Sequence, residues 1–176
     1  MENHKHIALL STGGTIEKTY NESDGTLFNQ RSVLEIMVAG LVLHGVRFDR
    51  IPVMNVDSVD MTDADHERIV KVASAYSESH DGLIITHGTD QLPVTGELLV
   101  KRLGEAPRVP IILTGAMRPY ELRTTDAQQN LIEALLAVQI LPPGVYVVMH
   151  NTALRFPGVV KDHKRMTFRR ASPNES

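Results

Sequence analysis

Two short segments combine hydroxyl groups with glycine in a way that suits bond-making chemistry. The first is Ser11-Thr12-Gly13-Gly14-Thr15. A glycine pair lets backbone approach a ligand closely and leaves amide hydrogens free to hold an oxyanion or a phosphate. The segment lacks the G-x-G-x-x-G of dinucleotide sites and the lysine-hydroxyl pair of a phosphate loop. Taken alone it also reads as a tight turn after a strand. The second segment, Thr86-His87-Gly88-Thr89-Asp90, sets a hydroxyl beside a carboxylate, and its plain structural alternative is capping of a helix that begins near Pro93. Downstream lies Lys161, in Val159-Val160-Lys161-Asp162. A threonine hydroxyl is a poor nucleophile until a base takes its proton, and a partly buried lysine aligned by a carboxylate can be that base. Thr89, Lys161 and Asp90 therefore form a candidate relay. Tyr20, five residues after Thr15 in the polar loop Glu17-Lys18-Thr19-Tyr20-Asn21, can relay a proton or shape a lid, or stand as an ordinary surface tyrosine.

Other chemistries are poorly served. The 176 residues include no cysteine, which excludes disulfides, thiolate metal sites and thiol nucleophiles. His4 and His6 lack further ligands at metal spacing, and Asp65-His66-Glu67 is not an H-E-x-x-H pair, so neither a metal nor an organic cofactor is expected. A formal charge of −3 with mixed signs gives no global field for nucleic acid or anionic membrane. The basic run Lys161, Lys164, Arg165, Arg169 and Arg170 reads as a solvated surface or an interface rim. The amino terminus runs straight into a short apolar Ile-Ala-Leu-Leu without the features of a signal peptide, and no 18-residue apolar run follows. A cytoplasmic protein without membrane segments is the expectation.

These residues must be held by elements, and the apolar pattern supplies them. Short β-rich runs at 6–10, 47–53, 83–86, 109–114 and 145–149 alternate with amphipathic stretches at 32–44, 62–77, 93–103 and 126–138. Ser32 with Glu35 has capping-box spacing. Ile69, Val70, Ala73 and Tyr76 share one face of the 62–77 helix, whose start carries Asp63, Asp65 and Glu67, and Leu131, Leu135 and Val138 make a stripe ended by Pro142. The alternation predicts an α/β fold: a single domain with a mainly parallel, doubly wound sheet and helices on both faces. In such a sheet the ligand crevice lies outside the carboxyl ends of the strands. The unusual residues sit at those ends: 11–15, 55–58, 86–90, 114–117 and 150–152.

In these residues the chain resembles the bacterial-type L-asparaginases. Their first threonine motif stands as Thr12 to Ile16, and the second, His-Gly-Thr-Asp, as His87 to Asp90. The likeness continues through Asp57-Ser58-Val59-Asp60-Met61, through Thr114-Gly115-Ala116-Met117-Arg118-Pro119, and through Asn151-Thr152 to Lys161. It runs from residue 6 to about 165, and the ordered co-occurrence of five motifs is highly specific. The resemblance implies that Thr15 attacks the side-chain amide carbon of L-asparagine, giving an acyl-enzyme and ammonia, after which water releases L-aspartate. It implies that Thr89, Asp90 and Lys161 are a second triad, with Asp90 also holding the substrate ammonium. It implies that Ser58 takes the substrate carboxylate, that Asp57 and Thr89 are substrate-binding as well, and that backbone at Gly14, Gly88 and Ala116 closes round the amide.

The family places its loop tyrosine at varying distances from the nucleophile; Tyr20 is the candidate here, and Phe28 occupies the alternative spacing. Val59 stands where a polar residue is frequent, so one substrate hydrogen bond, about 1 kcal/mol, is expected to be missing. Full-length members carry a second, carboxyl-terminal domain, and this chain corresponds to the catalytic half, so residues 1–176 are expected to form one catalytic domain with a basic tail over about 164–176. A homo-oligomer, dimer or tetramer, is expected to cover the apolar surface that remains. Glutamine is expected to be the poorer substrate, because one more methylene displaces the amide carbon. Two rival expectations are an amidohydrolase on another small amide and a non-catalytic module that binds asparagine or aspartate. A third, phosphate or nucleotide binding at Gly13-Gly14, lacks its usual lysine.

Overall fold

The computed structural model describes residues 4–172, and its elements follow the apolar periodicity closely. β1 (Lys5–Gly13) leads through a short 3-10 turn (Thr15–Glu17) into a small hairpin, β2 (Thr19–Tyr20) with β3 (Leu27–Phe28), and then α1 (Leu34–Ala39). β4 (Val46–Val56), a second 3-10 turn (Ser58–Asp60), α2 (Asp63–Ser77), β5 (Gly82–Thr86), α3 (Leu92–Leu103) and β6 (Pro110–Thr114) follow. α4 (Ala127–Ile140), β7 (Gly144–Met149), β8 (Thr152–Arg155), β9 (Val159–Asp162) and β10 (Thr167–Arg170) complete the order.

The main sheet has six strands in the order β4-β1-β5-β6-β7-β8; its first five are parallel, and β8 runs antiparallel to β7 at one edge. Alternate residues of each strand serve opposite faces. Leu83 and Ile85 join Ile69, Ala73, Leu92 and Leu99 in a core under α2 and α3, while Ile84 joins Leu34, Met37, Leu131 and Val138 in a core under α1 and α4. Burying each such side chain stabilises the fold by about 2 kcal/mol relative to exposure. The expected α/β architecture with helices on both faces is the one observed. Among the described residues no helix is long and apolar enough to cross a membrane.

α2 begins with a capping box: Thr62 Oγ1 accepts from Asp65 N at 3.3 Å and the Asp65 carboxylate accepts from Thr62 N at 2.8 Å. The box expected at Ser32 does not form. Ser32 Oγ accepts only a 3.4 Å bond from Leu34 N, Glu35 pairs instead with Arg50 of β4, and α1 is six residues long, stopping at Gly40. The basic tail is a strand as far as Arg170. β10 pairs antiparallel with β9, the turn is fixed by Lys164 N and Arg165 N donating to Asp162 Oδ1 at 3.0 Å, and Phe168 is buried. Residues 173–176 of that tail lie outside the described residues.

β1 sits between β4 and β5, so the chain winds one way from β1 to β4 and the other way back to β5. A crevice opens at such a reversal, outside the carboxyl ends of the two central strands. Those ends carry the Thr12-to-Thr15 and Thr86-to-Asp90 segments.

Candidate active site

The two rims meet at backbone distance because both are glycine there. Gly14 has φ +78°, and a Cβ built on it would stand 2.4 Å from both the N and Cα of Gly88. A Cβ on Gly88 would in turn stand 2.5 Å from Ser58 Oγ. The ends of β1 and β5 and the turn after β4 are thereby stacked without intervening side chains. Thr12 Oγ1 donates to Thr86 O at 2.7 Å, tying β1 to β5. Asn29 Nδ2, from the segment after β3, donates to Gly14 O at 2.9 Å and fixes the Gly14-Thr15 peptide. With that carbonyl engaged on one side, the Thr15 N–H of the same planar peptide points the opposite way.

Beside this crevice Lys161 of β9 reaches Thr89 and Asp90. Its Nζ donates to Thr89 Oγ1 and to Asp90 Oδ1, both at 2.8 Å. The lysine side chain is 7% exposed and the Asp90 carboxylate 43%, so one end of the cluster is buried and the other faces solvent. The capping alternative does not hold: α3 is preceded by Gln91 with no side-chain cap bond, and Thr89 and Asp90 are engaged with the lysine instead.

The remaining sequence candidates fall in distinct places. Thr15 is half-buried at the head of its 3-10 turn, and its hydroxyl makes no hydrogen bond among the described residues. Ser58 is fully buried, its Oγ accepting from Gln91 N at 3.3 Å. Asp57 is ion-paired with Lys18; partial burial works against its ionisation, but the ammonium beside it holds the carboxyl below its ordinary value. Ala116 packs in the core under α4, in a loop that Asp126 secures by accepting from Met117 N at 3.0 Å and Arg118 N at 2.9 Å. Tyr20 is 56% exposed on the β2–β3 hairpin, its hydroxyl lies over Gly25 of the same hairpin, and it has no hydrogen bond to Thr15 among the described residues. Phe28 helps line a cleft of about 360 Å³ with Lys18, Asn29, Asp57 and Asp60. Val59 is exposed.

Sequence reasoning missed the support behind Thr89. His87 is fully buried, and its ring nitrogens lie 2.8 Å from Gly88 O and 2.8 Å from Thr95 Oγ1. Thr95 Oγ1 is also 2.7 Å from His66 Nδ1, while His66 Nε2 is 3.0 Å from Gln91 Oε1, and the two imidazoles are near-parallel at 6.0 Å. A carbonyl only accepts, so the His87 proton sits on Nδ1; the Thr95 hydroxyl then donates to Nε2 and accepts from His66 Nδ1–H, which leaves His66 Nε2 to accept from the Gln91 amide with its NH2 turned toward the ring. Burial drives the His87 pKa down to about 4, which keeps the ring neutral. The network holds the Gly88 carbonyl and hence the Gly88-Thr89 peptide. The signal was present: His66 stands three, four and seven residues before Ile69, Val70 and Ala73, a polar side chain on an apolar stripe.

Glu17 was missed too. It lies buried beneath the Thr15 turn, where loss of water raises its pKa against hydrogen bonds from Ser32, Gly13 backbone and Thr86 and the charge of Arg50.

The family model described as Asparaginase, N-terminal, matches residues 6–175. The L-asparaginase of Thermococcus kodakarensis is 30% identical over 159 residues, which cover 89% of this chain and 48% of that protein. A glutamyl-tRNA(Gln) amidotransferase subunit of Methanococcus vannielii is 32% identical over 156 residues, covering 85% of this chain and 35% of that relative. The solved structure of the thermostable L-asparaginase from Thermococcus kodakarensis matches with a TM-score of 0.83 at 28% identity, over 94% of this chain and 51% of that one. The chain thus spans about half the length of that asparaginase and about a third of that amidotransferase relative.

Proposed function

The chain belongs to the asparaginase family, and from that premise we propose that it hydrolyses L-asparagine to L-aspartate and ammonia through an acyl-enzyme on Thr15. The observation that carries this reading is the Lys161 ammonium held at 2.8 Å from both the Thr89 hydroxyl and the Asp90 carboxylate, beside a crevice whose rims touch at Gly14 and Gly88. In this reading Asp90 takes the substrate ammonium and Ser58 its carboxylate, which fixes the amide carbon before either reacting group moves. Asp57 keeps the Ser58 turn in place through its pair with Lys18. The Thr15 hydroxyl attacks, its proton passes to the leaving nitrogen, and ammonia departs. Backbone amides near Gly14, Gly88 and Ala116 hold the oxyanion. Lys161 acts as base only after its ammonium has released a proton to solvent; water then loses a proton through Thr89 to that amine and opens the ester, and Thr15 leaves with a proton returned by the same relay. Tyr20 serves the first transfer when the β2–β3 hairpin folds inward over the crevice.

Residues 1–176 act in this reading as one catalytic domain. A homo-oligomer is supported by Ile132, Leu136 and Ile140, which lie four residues apart on α4 and are 47%, 59% and 68% exposed. The amidotransferase relative supports a second reading, in which the amide nitrogen is handed to an acceptor instead of released. Ammonia production from L-asparagine and L-glutamine by the purified chain separates them. Faster release from asparagine is expected; faster release from glutamine, or none from either amide, overturns the proposal.

A further inference from the structure

We propose that His6, Asp49 and His80 form a binding site for a divalent transition-metal ion of the zinc class, at the end of the sheet opposite the crevice. The three are far apart in sequence and meet only through the strand order. His6 is the second residue of β1, Asp49 lies near the start of the neighbouring β4, and His80 precedes β5 on the other side. The edge is tied together by His6 N donating to Asp81 Oδ2 at 2.8 Å and Asp81 N donating to His6 O at 2.7 Å.

One carboxylate oxygen, Asp49 Oδ2, lies 2.9 Å from His6 Nε2 and 3.3 Å from His80 Nε2, and all three ligand atoms fall within 4.8 Å of one another. A tetrahedral ion with bonds of about 2.0–2.1 Å sets its ligand atoms about 3.3 Å apart. The tautomer of His80 strengthens the case. Its Nδ1 is 3.1 Å from the Tyr76 carbonyl, which only accepts, so that nitrogen carries the proton, with Ser79 Oγ also at 2.9 Å. A carbonyl behind one imidazole nitrogen, with the other turned toward the remaining ligands, is the outer-shell arrangement of metal-bound histidine. With an ion bound, the Nε2 lone pair and the carboxylate oxygen would both face the cation in place of their direct contact.

Access and coordination number fit as well. His80 is 4% exposed and rigid, whereas Asp49 is 48% exposed, leaving room for water to complete the shell. Arg47 Nη2 is 3.3 Å from both ring nitrogens of His6 and would compete with an ion, but this side chain is exposed at the sheet edge and can swing out. The ion would clamp three segments that are separate in the unfolded chain, so it stabilises the native state by mass action.

The test is titration of zinc alone into chelator-stripped, untagged protein near neutral pH, followed by calorimetry and thermal melting, with cobalt absorption as a second probe. One ion per chain and a rise in melting temperature are expected. Asp49→Asn and His6→Gln alter exposed or partly exposed side chains, so both should fold by circular dichroism and bind zinc at least about tenfold more weakly. Absence of binding, or binding undiminished in both folded variants, overturns the site.

Discussion

Replacing Lys161 by methionine separates the structural and chemical parts of the buried relay. Methionine keeps most of the aliphatic stem and deletes the ammonium. In the native chain the ammonium makes 2.8 Å bonds to Thr89 Oγ1 and Asp90 Oδ1. The Asp90 carboxylate is 43% exposed, so solvent screening limits that pair to about 0.5 kcal/mol. Thr89 is 3% exposed, and a buried bond from a charged donor contributes about 2 kcal/mol. The combined loss of about 2–3 kcal/mol lowers the melting temperature of a chain this size by roughly 4–12 °C. That is a fraction of a total of about 5–15 kcal/mol, so the variant folds. Turnover should respond far more, by about 100- to 10,000-fold, because the nitrogen that accepts a proton once its ammonium has released one is removed from the transition state. Thermal melts by circular dichroism and ammonia release from asparagine read the two effects on one preparation. A folded Lys161→Met protein with turnover within about tenfold of the native chain refutes the relay.

Three further predictions concern the supports of the site. Gly14→Ala places a Cβ 2.4 Å from Gly88 backbone at φ +78°, so a loss of more than about 2 kcal/mol is expected in urea unfolding; an unchanged midpoint contradicts the rim contact. His87 titrates at about 4 in the fold against 6.5 ordinarily, so the unfolded chain takes up the proton first. Its contribution, roughly 3 kcal/mol at most, is complete above the ordinary value and is lost as pH falls toward 4. His87→Asn should flatten that part of the pH profile of urea midpoints, and an equally steep profile contradicts the assignment. Glu17 has a raised pKa, so its stability contribution is present below the ordinary carboxyl range and lost as pH rises through its folded value. Glu17→Gln should therefore stabilise at neutral and alkaline pH with the gain vanishing in acid, and a gain confined to acid contradicts it.

The parallel strands were legible as β-rich runs, β5, β6 and β7 buried on both faces and the edge strand β4 half-exposed, and the rims because glycine, threonine and acid cluster at their ends. β8 and β10 were not. Thr152–Arg155 is exposed or half-buried along its length, and Thr167–Arg170 reads as basic surface until pairing with β9 buries Phe168. Glu35 misled as a capping residue because its partner, Arg50, comes from a neighbouring strand that local spacing does not reveal. Thr89, Asp90 and Lys161 were legible by residue type. The network of His87, Thr95 and His66 left one sign in the sequence, His66 on the apolar stripe of α2, but its partners come from another element and local spacing does not name them. His6, Asp49 and His80 meet only because the sheet order puts β4 and β5 on either side of β1, which ligand spacing along the chain cannot express.

The most direct test of the central chemistry is the rate of ammonia release from L-asparagine by Thr15→Val, measured beside calorimetric binding of the same amino acid. Valine keeps the shape of threonine and removes a hydroxyl that makes no hydrogen bond among the described residues. The nucleophile assignment predicts a folded protein that still binds asparagine and releases ammonia more than about 1,000-fold more slowly. Turnover of Thr15→Val within about tenfold of the native rate contradicts it.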